Sequence, residues 1–322
     1  MRKTIFKILY YIGIGHILHL FNIINNKIPI LLFHRVSEEP DFVWPTINPQ
    51  DFETLLSFLK KKYAFTPLNK LFERPSKNSC IIVFDDGFQD FKETALPILK
   101  KYKVPSTLFI PTKSIIENRI VWTSVLDGVF RNTKTKSVEF IAADRKHVFN
   151  LDSEESRFKA AIRTQTLLKK LPNNERIIAF DYLINNYPLD EGKNISSMGW
   201  DDINQIKEEV NIESHSHSHP YLPNLSREEL IEELTQPLVF SEINLSTKFN
   251  YISYPMGGYN AETIKETSNY YKAGFAVDNN LVKLNSIGSK DYNYKIPRIN
   301  VTDTNPYELF LRINGFHKLF GK

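Results

Sequence analysis

Short runs of apolar residues alternate along the chain with segments in which apolar residues recur every three or four positions. The runs predict buried strands, and the recurring pattern predicts amphipathic helices that pack against them. The predicted strands cover residues 29–34, 81–84, 106–110, 210–214, 249–254, 273–277 and 295–301. The predicted helices cover residues 51–62, 88–102, 200–209 and 226–245. This order predicts an α/β fold, a distorted (β/α) barrel of about seven strands with a largely parallel sheet.

Three residue patterns predict where helices begin or bend. Pro49 suits the first turn of the helix at residues 51–62. Ser226 and Glu229 have the spacing of a capping box. Pro97 predicts a bend within residues 88–102.

The regular alternation weakens between about residues 112 and 198. This polar region has helical periodicity at residues 156–171 and 175–185, and we expect a helical insertion that forms one wall of a cleft. The barrel domain is then expected to span residues 28–302. Residues 1–27 and 303–322 are apolar and basic, and each is expected to pack on the domain or to contact a membrane surface.

Composition and charge restrict the class of protein. The chain has 322 residues, 42% of them hydrophobic, which is enough for a full core. The formal net charge is only +4 and no basic patch is concentrated in the body of the chain, so we expect no nucleic-acid partner. The single cysteine, Cys80, lies in a predicted strand and leaves no intramolecular disulfide. Composition leaves the oligomeric state open.

The N-terminal segment also bears on the compartment. It lacks a small-residue cleavage site, so an export signal is not expected. We therefore expect a cytoplasmic or membrane-peripheral location, with secretion or the cell envelope as the alternative.

Two carboxylates follow the second predicted strand. Residues 84–87 read Phe-Asp-Asp-Gly, so Asp85 and Asp86 lie side by side. Two such charges are costly to hold together without a cation or a proton between them. The alternative is a loop with two solvated aspartates.

Histidines follow the strand at residues 210–214. His215 and His219 are four residues apart, which suits ligation of one ion, and His217 between them is expected to point elsewhere. The carboxyl ends of parallel barrel strands meet at one face, so these imidazoles are expected to join one of the carboxylates there. One carboxylate and two imidazoles form a common open site for zinc or a similar divalent metal, which leaves the second carboxylate to move protons.

Three motifs in this order resemble those of a known family. Phe-Asp-Asp-Gly at residues 84–87 is followed by His-Ser-x-x-His at 215–219 and by Tyr-Pro-x-Gly at 254–257. Together they resemble the polysaccharide deacetylase family (NodB-homology domain, carbohydrate esterase family 4). The resemblance spans about residues 28–302 and implies a NodB-like barrel that removes acetyl groups from N-acetylated sugars.

The resemblance implies a role for each matching residue. Asp85 resembles the general base that activates water. Asp86, His215 and His219 resemble the metal ligands, and Ser216 is expected to steady the histidine loop by hydrogen bonding.

The substrate is expected to contact Ser216 and, in the third motif, Tyr254, Pro255, Met256 and Gly257. The backbone N–H of Met256 resembles the donor that helps to hold the oxyanion. Four aromatic residues are candidates either for stacking on sugar rings or for core positions, namely Trp44, Trp122, Tyr254 and Tyr259.

The chain departs from the family pattern at two places. Tyr254 stands where the family has an arginine that tethers the base, and we hypothesise that Arg298 supplies this tether from another strand. The family's late Leu-x-His motif, which supplies the general acid, is absent. Deacetylases of the poly-N-acetylglucosamine type look similar at the first strand and take their acid from it, so we assign this role to His34.

The expected function is metal-dependent removal of N-acetyl groups from amino sugars in a polysaccharide or a lipid-linked glycan precursor. Zinc is the favoured metal, with cobalt, nickel or manganese as alternatives. Three other functions stay open: hydrolysis of a small amide, O-acetyl ester hydrolysis, and glycan binding without catalysis.

Overall fold

Seven parallel strands close into a barrel in the order in which they occur along the chain. In the computed structural model they are β1 (Ile30–Phe33), β2 (Ser79–Phe84), β3 (Ser106–Ile110), β4 (Asn211–Ser214), β5 (Tyr251–Ser253), β6 (Ala273–Val277) and β7 (Ile296–Asn300). Each strand pairs in parallel with the next, and β7 pairs with β1 at Ile299 and Leu31. The structure describes residues 2–317 except 42, 45, 74, 188–195 and 303. The predicted barrel is confirmed.

Alternate side chains of the strands enter two different hydrophobic cores, because neighbouring residues of a strand point to opposite faces. In β1 and β2 one set belongs to the core inside the barrel: Ile30, Leu32, Ile81 and Val83. The other set packs against the surrounding helices: Leu31, Phe33, Ile82 and Phe84. Burial of both faces explains why these strands are continuous apolar runs.

Helices surround the barrel and form the insertion. The α-helices are α1 (Arg2–Tyr11), α2 (Ile14–Ile24), α3 (Pro49–Lys60), α4 (Lys70–Glu73), α5 (Leu96–Tyr102), α6 (Thr112–Glu117), α7 (Trp122–Asn132), α8 (Glu154–Lys170), α9 (Asn173–Asn186), α10 (Trp200–Ile206), α11 (Arg227–Leu245), α12 (Ala261–Tyr270), α13 (Lys290–Asn293) and α14 (Pro306–Ile313). Short 3-10 turns occupy Leu222–Asn224, Pro255–Gly257 and Leu284–Ser286.

Short strands lie outside the barrel. Lys27–Ile28 pairs antiparallel with Val282–Lys283, Arg35–Val36 pairs in parallel with Thr46–Ile47, and Ala64–Phe65 pairs in parallel with β2.

Two helix starts follow the sequence signals. Pro49 lies in the first turn of α3, where Asn48 caps the helix by accepting from the Gln50 N–H. The capping box of α11 is present, since Ser226 and Glu229 accept from each other's backbone N–H at 3.2 and 2.8 Å.

The helix predicted at residues 88–102 is confirmed over residues 89–102, which are helical without a break. Its turn at Phe91–Ala95 is π-helical and leads directly into α5, where Pro97 lies in the first turn. Pro97 has no N–H to donate to the preceding turn, and a π-helical turn accommodates the missing bond. The bend expected at Pro97 remains a prediction.

The insertion has a hydrophobic core of its own. The predicted helical stretches are present as α8 and α9, which pack with α7 and with an antiparallel hairpin, Ser137–Ala142 and Arg145–Asn150. The sequence patterns predicted neither α7 nor the hairpin. The boundaries of the barrel domain at residues 28–302, and those of the two terminal segments, remain predictions.

The first two helices pack on α14. A Cβ atom added to Gly15 would lie 3.0 Å from the Phe310 ring, so the two backbones approach closely there. Asn22 is buried and donates to the Asn314 side chain at 3.2 Å. No single helix in the described part of the chain has the length and apolarity to cross a membrane. By those two criteria alone, the bent pair Thr4–Tyr11 and Ile14–Ile24, at 60°, passes.

Candidate metal centre and active site

The turn after β2 separates the two aspartates. Asp86 and Gly87 have φ angles of 75° and 67°, so two successive residues adopt the left-handed conformation. Aspartate and glycine tolerate this conformation better than most residues. The turn leaves Asp85 and Asp86 with different partners at the mouth of the barrel.

The histidine loop after β4 is an irregular turn and not part of a helix. Ser216 and His219 have φ angles of 64° and 59°. The Ser216 hydroxyl accepts from the His219 N–H at 3.2 Å, as expected for a residue that steadies the loop. Glu233 of α11 accepts from the backbone N–H groups of His217 and Ser218 at 2.9 and 2.8 Å. These bonds hold the loop in the conformation that brings His215 and His219 together.

One carboxylate and two imidazoles meet in a buried cluster. Asp86 Oδ1 lies 3.3 Å from His215 Nε2 and 3.3 Å from His219 Nε2. Donor atoms around a tetrahedral zinc at about 2.0 Å lie about 3.3 Å from each other. Among the described residues Asp86 Oδ1 has no hydrogen-bond partner, although it is buried. The cluster therefore fits a divalent cation.

The second ring nitrogen of His215 fixes its tautomer. His215 Nδ1 lies 2.8 Å from the Ser253 carbonyl oxygen, to which it must donate. The lone pair of Nε2 is then directed at the cluster, as in many metal sites. His217 does point elsewhere, with Nδ1 2.9 Å from the Thr112 hydroxyl and its ring stacked on Phe240.

The imidazoles keep Asp86 ionised. Burial alone would raise the pKa of Asp86, but without a cation positive charge on His219 and His215 outweighs it and holds this pKa well below its ordinary value. A carboxylate that stays charged is a competent metal ligand.

Asp85 has a separate set of partners. Arg298 Nη1 donates to Asp85 Oδ1 at 2.7 Å, and the Ser253 hydroxyl donates to Oδ2 at 3.0 Å. Arg298 is fully buried, and its Nε donates to the Ala276 carbonyl oxygen at 3.2 Å. Burial would raise the pKa of Asp85, but Arg298 and then His215 lower it overall. Asp85 is therefore a carboxylate able to accept a proton, and the hypothesised contact from Arg298 exists.

A pocket of about 350 Å³ opens on this cluster. His34, at the end of β1, lines it beside Trp44, with the two rings stacked at 6.3 Å between centroids. Asp85 and Asp86 line the same pocket as His34. Met256 and Gly257 line the pocket from the third motif.

The insertion supplies one wall of the pocket. Four lining residues come from α8 at helical spacing and so share one face of it: Ile162, Gln165, Thr166 and Lys169. Asp127 of α7 accepts from Gln165 and from the Val43 N–H, at 3.0 and 3.1 Å. Burial raises the pKa of Asp127 to about 7. Asp127 thus connects the insertion to the segment that carries Trp44.

Three predicted substrate contacts are wrong for the side chains concerned. Tyr254 is fully buried, and its hydroxyl donates to the Tyr294 carbonyl oxygen at 2.8 Å, so a sugar ring cannot reach it. Pro255 is buried, and the Ser216 hydroxyl is occupied within the histidine loop.

The aromatic candidates lie in different places. Trp122 is a core residue, and its Nε1 donates to the His219 carbonyl oxygen at 2.9 Å. Of the aromatic candidates, Trp44 lines the pocket, whereas the Tyr259 ring packs on Tyr254 at 5.7 Å.

Two residues that hold the site were not predicted from the sequence. Ser253 ends β5, and its position at a strand end was a usable signal. Glu233 lies in the middle of an amphipathic helix, where glutamate is common and gives no signal.

Comparison with known proteins decides the family. The sequence model of the polysaccharide deacetylase family matches residues 73–273, well over half of the chain.

The chain belongs to the polysaccharide deacetylase family.

Curated relatives carry related names. The chain is 29% identical over 160 residues to the poly-beta-1,6-N-acetyl-D-glucosamine N-deacetylase of Staphylococcus epidermidis. The matched residues make up 44% of this chain and 55% of that protein. It is 32% identical over 96 residues to YxkH of Bacillus subtilis, named as a polysaccharide deacetylase, covering 28% of this chain and 33% of that protein. The chain thus matches about a third and about half of the lengths of these two relatives.

Solved deacetylase structures share the fold. The deacetylase PplD of Streptococcus pyogenes, in complex with acetate, superposes with a TM-score of 0.58 at 18% identity, covering 89% of this chain and 98% of that one. IcaB from Ammonifex degensii gives a TM-score of 0.56 at 14% identity, with coverage of 90% and 97%. At these identities the likeness concerns the barrel and its helices.

Replacing His219 with alanine is expected to weaken zinc binding by about a hundredfold or more, because one of three donor atoms is lost. His217→Ala is the matched control from the same loop, and it should keep its zinc because this ring points away from Asp86. Equilibrium dialysis of the purified variants against buffered zinc, with the metal measured by mass spectrometry, gives both affinities. Equal zinc affinity of the two variants would contradict this ligand set.

Proposed function

We propose that the chain hydrolyses N-acetyl groups on amino sugars of a polysaccharide or a lipid-linked glycan precursor, in a metal-dependent reaction. The observation that carries the proposal is that donor atoms of Asp86, His215 and His219 converge on one point. Beside them lies a second carboxylate, Asp85, which is paired with Arg298. Family membership supports deacetylation, and the name of the Staphylococcus epidermidis relative supports an N-acetylglucosamine polymer as substrate.

We assign the cation to zinc, held by Asp86, His215 and His219. A divalent cation there would polarise the acetyl carbonyl group and lower the pKa of a water molecule. The remaining chemistry belongs to side chains around the pocket.

Asp85 acts as the general base in this proposal. It removes a proton from the attacking water, and the resulting C–O bond gives a tetrahedral oxyanion. Arg298 and the Ser253 hydroxyl hold the carboxylate in place for this step. Met256 lines the pocket with a φ angle of 54°, and we assign its backbone N–H as a donor to the oxyanion.

His34 acts as the general acid. It gives a proton to the sugar nitrogen as the C–N bond breaks, which releases acetate and a free amine. Its place in the pocket beside both aspartates supports this role. The stacked Trp44 ring restricts the orientation of the imidazole and offers a flat face to a sugar ring.

Asp85→Asn is expected to reduce acetate release from an N-acetylated β-1,6-glucosamine oligomer by about a hundredfold or more, since the amide cannot accept the proton. The variant should retain its zinc, because Asp85 is not among the three donors. Parallel assays with O-acetylated sugars and with cyclic amides separate the proposed substrate from the alternatives. Near-normal acetate release by Asp85→Asn would refute the assignment of the base.

Arg298→Lys is expected to lower kcat while the zinc content stays unchanged. Lysine keeps the buried positive charge but cannot reproduce the rigid donor geometry of a guanidinium group. Steady-state kinetics and metal analysis of the same preparation provide the measurement. Unchanged kcat would show that the ion pair with Asp85 serves stability and does not position the base.

His34→Ala is expected to slow hydrolysis of an N-acetyl amide by about a hundredfold, but to leave hydrolysis of an activated aryl acetate nearly unchanged. An amine must be protonated to leave, whereas an aryl oxide leaves without a proton. The ratio of the two rates in one variant is the measurement. An equal loss on both substrates would mean that His34 acts in some other step.

A further inference from the structure

The first two helices present an apolar face that the rest of the described chain does not cover. On α2 the spacing i, i+3, i+4, i+7 places four large side chains on one stripe, each between 57% and 69% exposed: Ile17, Leu20, Phe21 and Ile24. Ile5 and Ile8 of α1, with Ile12 directly after that helix, add three more exposed apolar side chains. We call these seven residues the N-terminal apolar face. A cluster of this kind differs from single exposed apolar residues, which are normal.

The opposite sides of both helices are firmly attached to the domain. The Tyr10 ring packs on Phe58 and Phe310, with centroids 5.4 and 5.8 Å apart. Gly15 allows α2 to approach Phe310 closely. Asn22 is buried and donates a hydrogen bond to the Asn314 side chain. The N-terminal apolar face is therefore held in a fixed orientation, pointing away from the barrel.

The segment that carries this face is positively charged. The first acidic residue of the chain is Glu38, whereas residues 1–27 contain Arg2, Lys3, Lys7 and Lys27. Lys62 adds a further cation, with Nζ 5.3 Å from the centre of the Tyr10 ring. An apolar face with basic residues around it is complementary to a lipid layer that has an apolar interior and anionic headgroups.

We propose that the N-terminal apolar face docks the protein on a lipid bilayer with anionic headgroups, with α1 and α2 lying in the plane of the interface. The 60° bend between the helices and their attachment to α14 favour this arrangement over a span. A second copy of the chain is a poorer occupant, because a symmetric contact would bring the same basic residues into proximity. The proposal does not depend on the proposed function.

The test is co-sedimentation of the full chain with phosphatidylcholine vesicles, with and without about one third phosphatidylglycerol. The wild-type chain should bind the anionic vesicles, and high salt should weaken the binding. The double substitution Ile17→Asn with Phe21→Asn should reduce binding about tenfold or more, because two apolar side chains no longer enter the bilayer. The matched control is Ile178→Asn with Ile243→Asn, which removes two equally exposed isoleucines from α9 and α11 and should bind like wild type.

Three results would overturn the proposal. The wild-type chain stays in the supernatant with both kinds of vesicle, or the two double variants bind equally well. The third is a dimer in sedimentation velocity without vesicles that Ile17→Asn with Phe21→Asn converts to a monomer, which would assign the face to a second copy. Thermal unfolding and zinc binding of each variant confirm that it has folded.

Discussion

The active-site arrangement depends on one buried carboxylate, that of Asp86, which is held between the imidazoles of His215 and His219. Asp86 is buried, and without a cation its charge would face nitrogen atoms that cannot all donate to it. Three features of the surrounding structure hold the cluster in spite of this cost. Two turns with left-handed residues place the side chains, a carbonyl oxygen orients His215, and the Glu233 carboxylate accepts hydrogen bonds from the histidine loop. Arg298 balances the charge of Asp85 at 2.7 Å, whereas His215 Nε2 lies 3.7 Å from Asp85 and 3.3 Å from Asp86.

The barrel makes this arrangement possible with few residues. Asp85 and Asp86 follow β2, the histidines follow β4, Ser253 ends β5 and Arg298 lies on β7. Parallel strands bring these positions to one rim, although more than two hundred residues separate Asp85 from Arg298 in the chain. The insertion closes the side of the pocket with a face of α8, and Asp127 fixes the segment of Trp44 against it. His34, Asp85 and the three candidate ligands thus line one cavity, as the proposed hydrolysis requires.

The sequence predicted the parts that depend on local pattern and topology. Asp86, His215 and His219 could be placed together because strand ends converge in any parallel barrel. Arg298 was paired with Asp85 because Tyr254 stands where the resembled family has a tethering arginine. The direction of Tyr254 could not be predicted, since its ring fills a space that exists only because Gly274 on the neighbouring strand has no side chain; a Cβ there would lie 2.0 Å from the tyrosine oxygen. The hairpin of the insertion was missed because exposed apolar residues such as Ile141 and Val148 obscure its alternation.

The most direct test of the central claim is a crystal structure of the chain soaked in zinc, with anomalous diffraction measured at the zinc edge. The account predicts one strong peak about 2.0–2.2 Å from Asp86 Oδ1 and from Nε2 of both His215 and His219. It also predicts that Asp85 stays outside the coordination shell and remains paired with Arg298. A peak elsewhere, or a zinc ion bound by Asp85 in place of Asp86, would contradict the account.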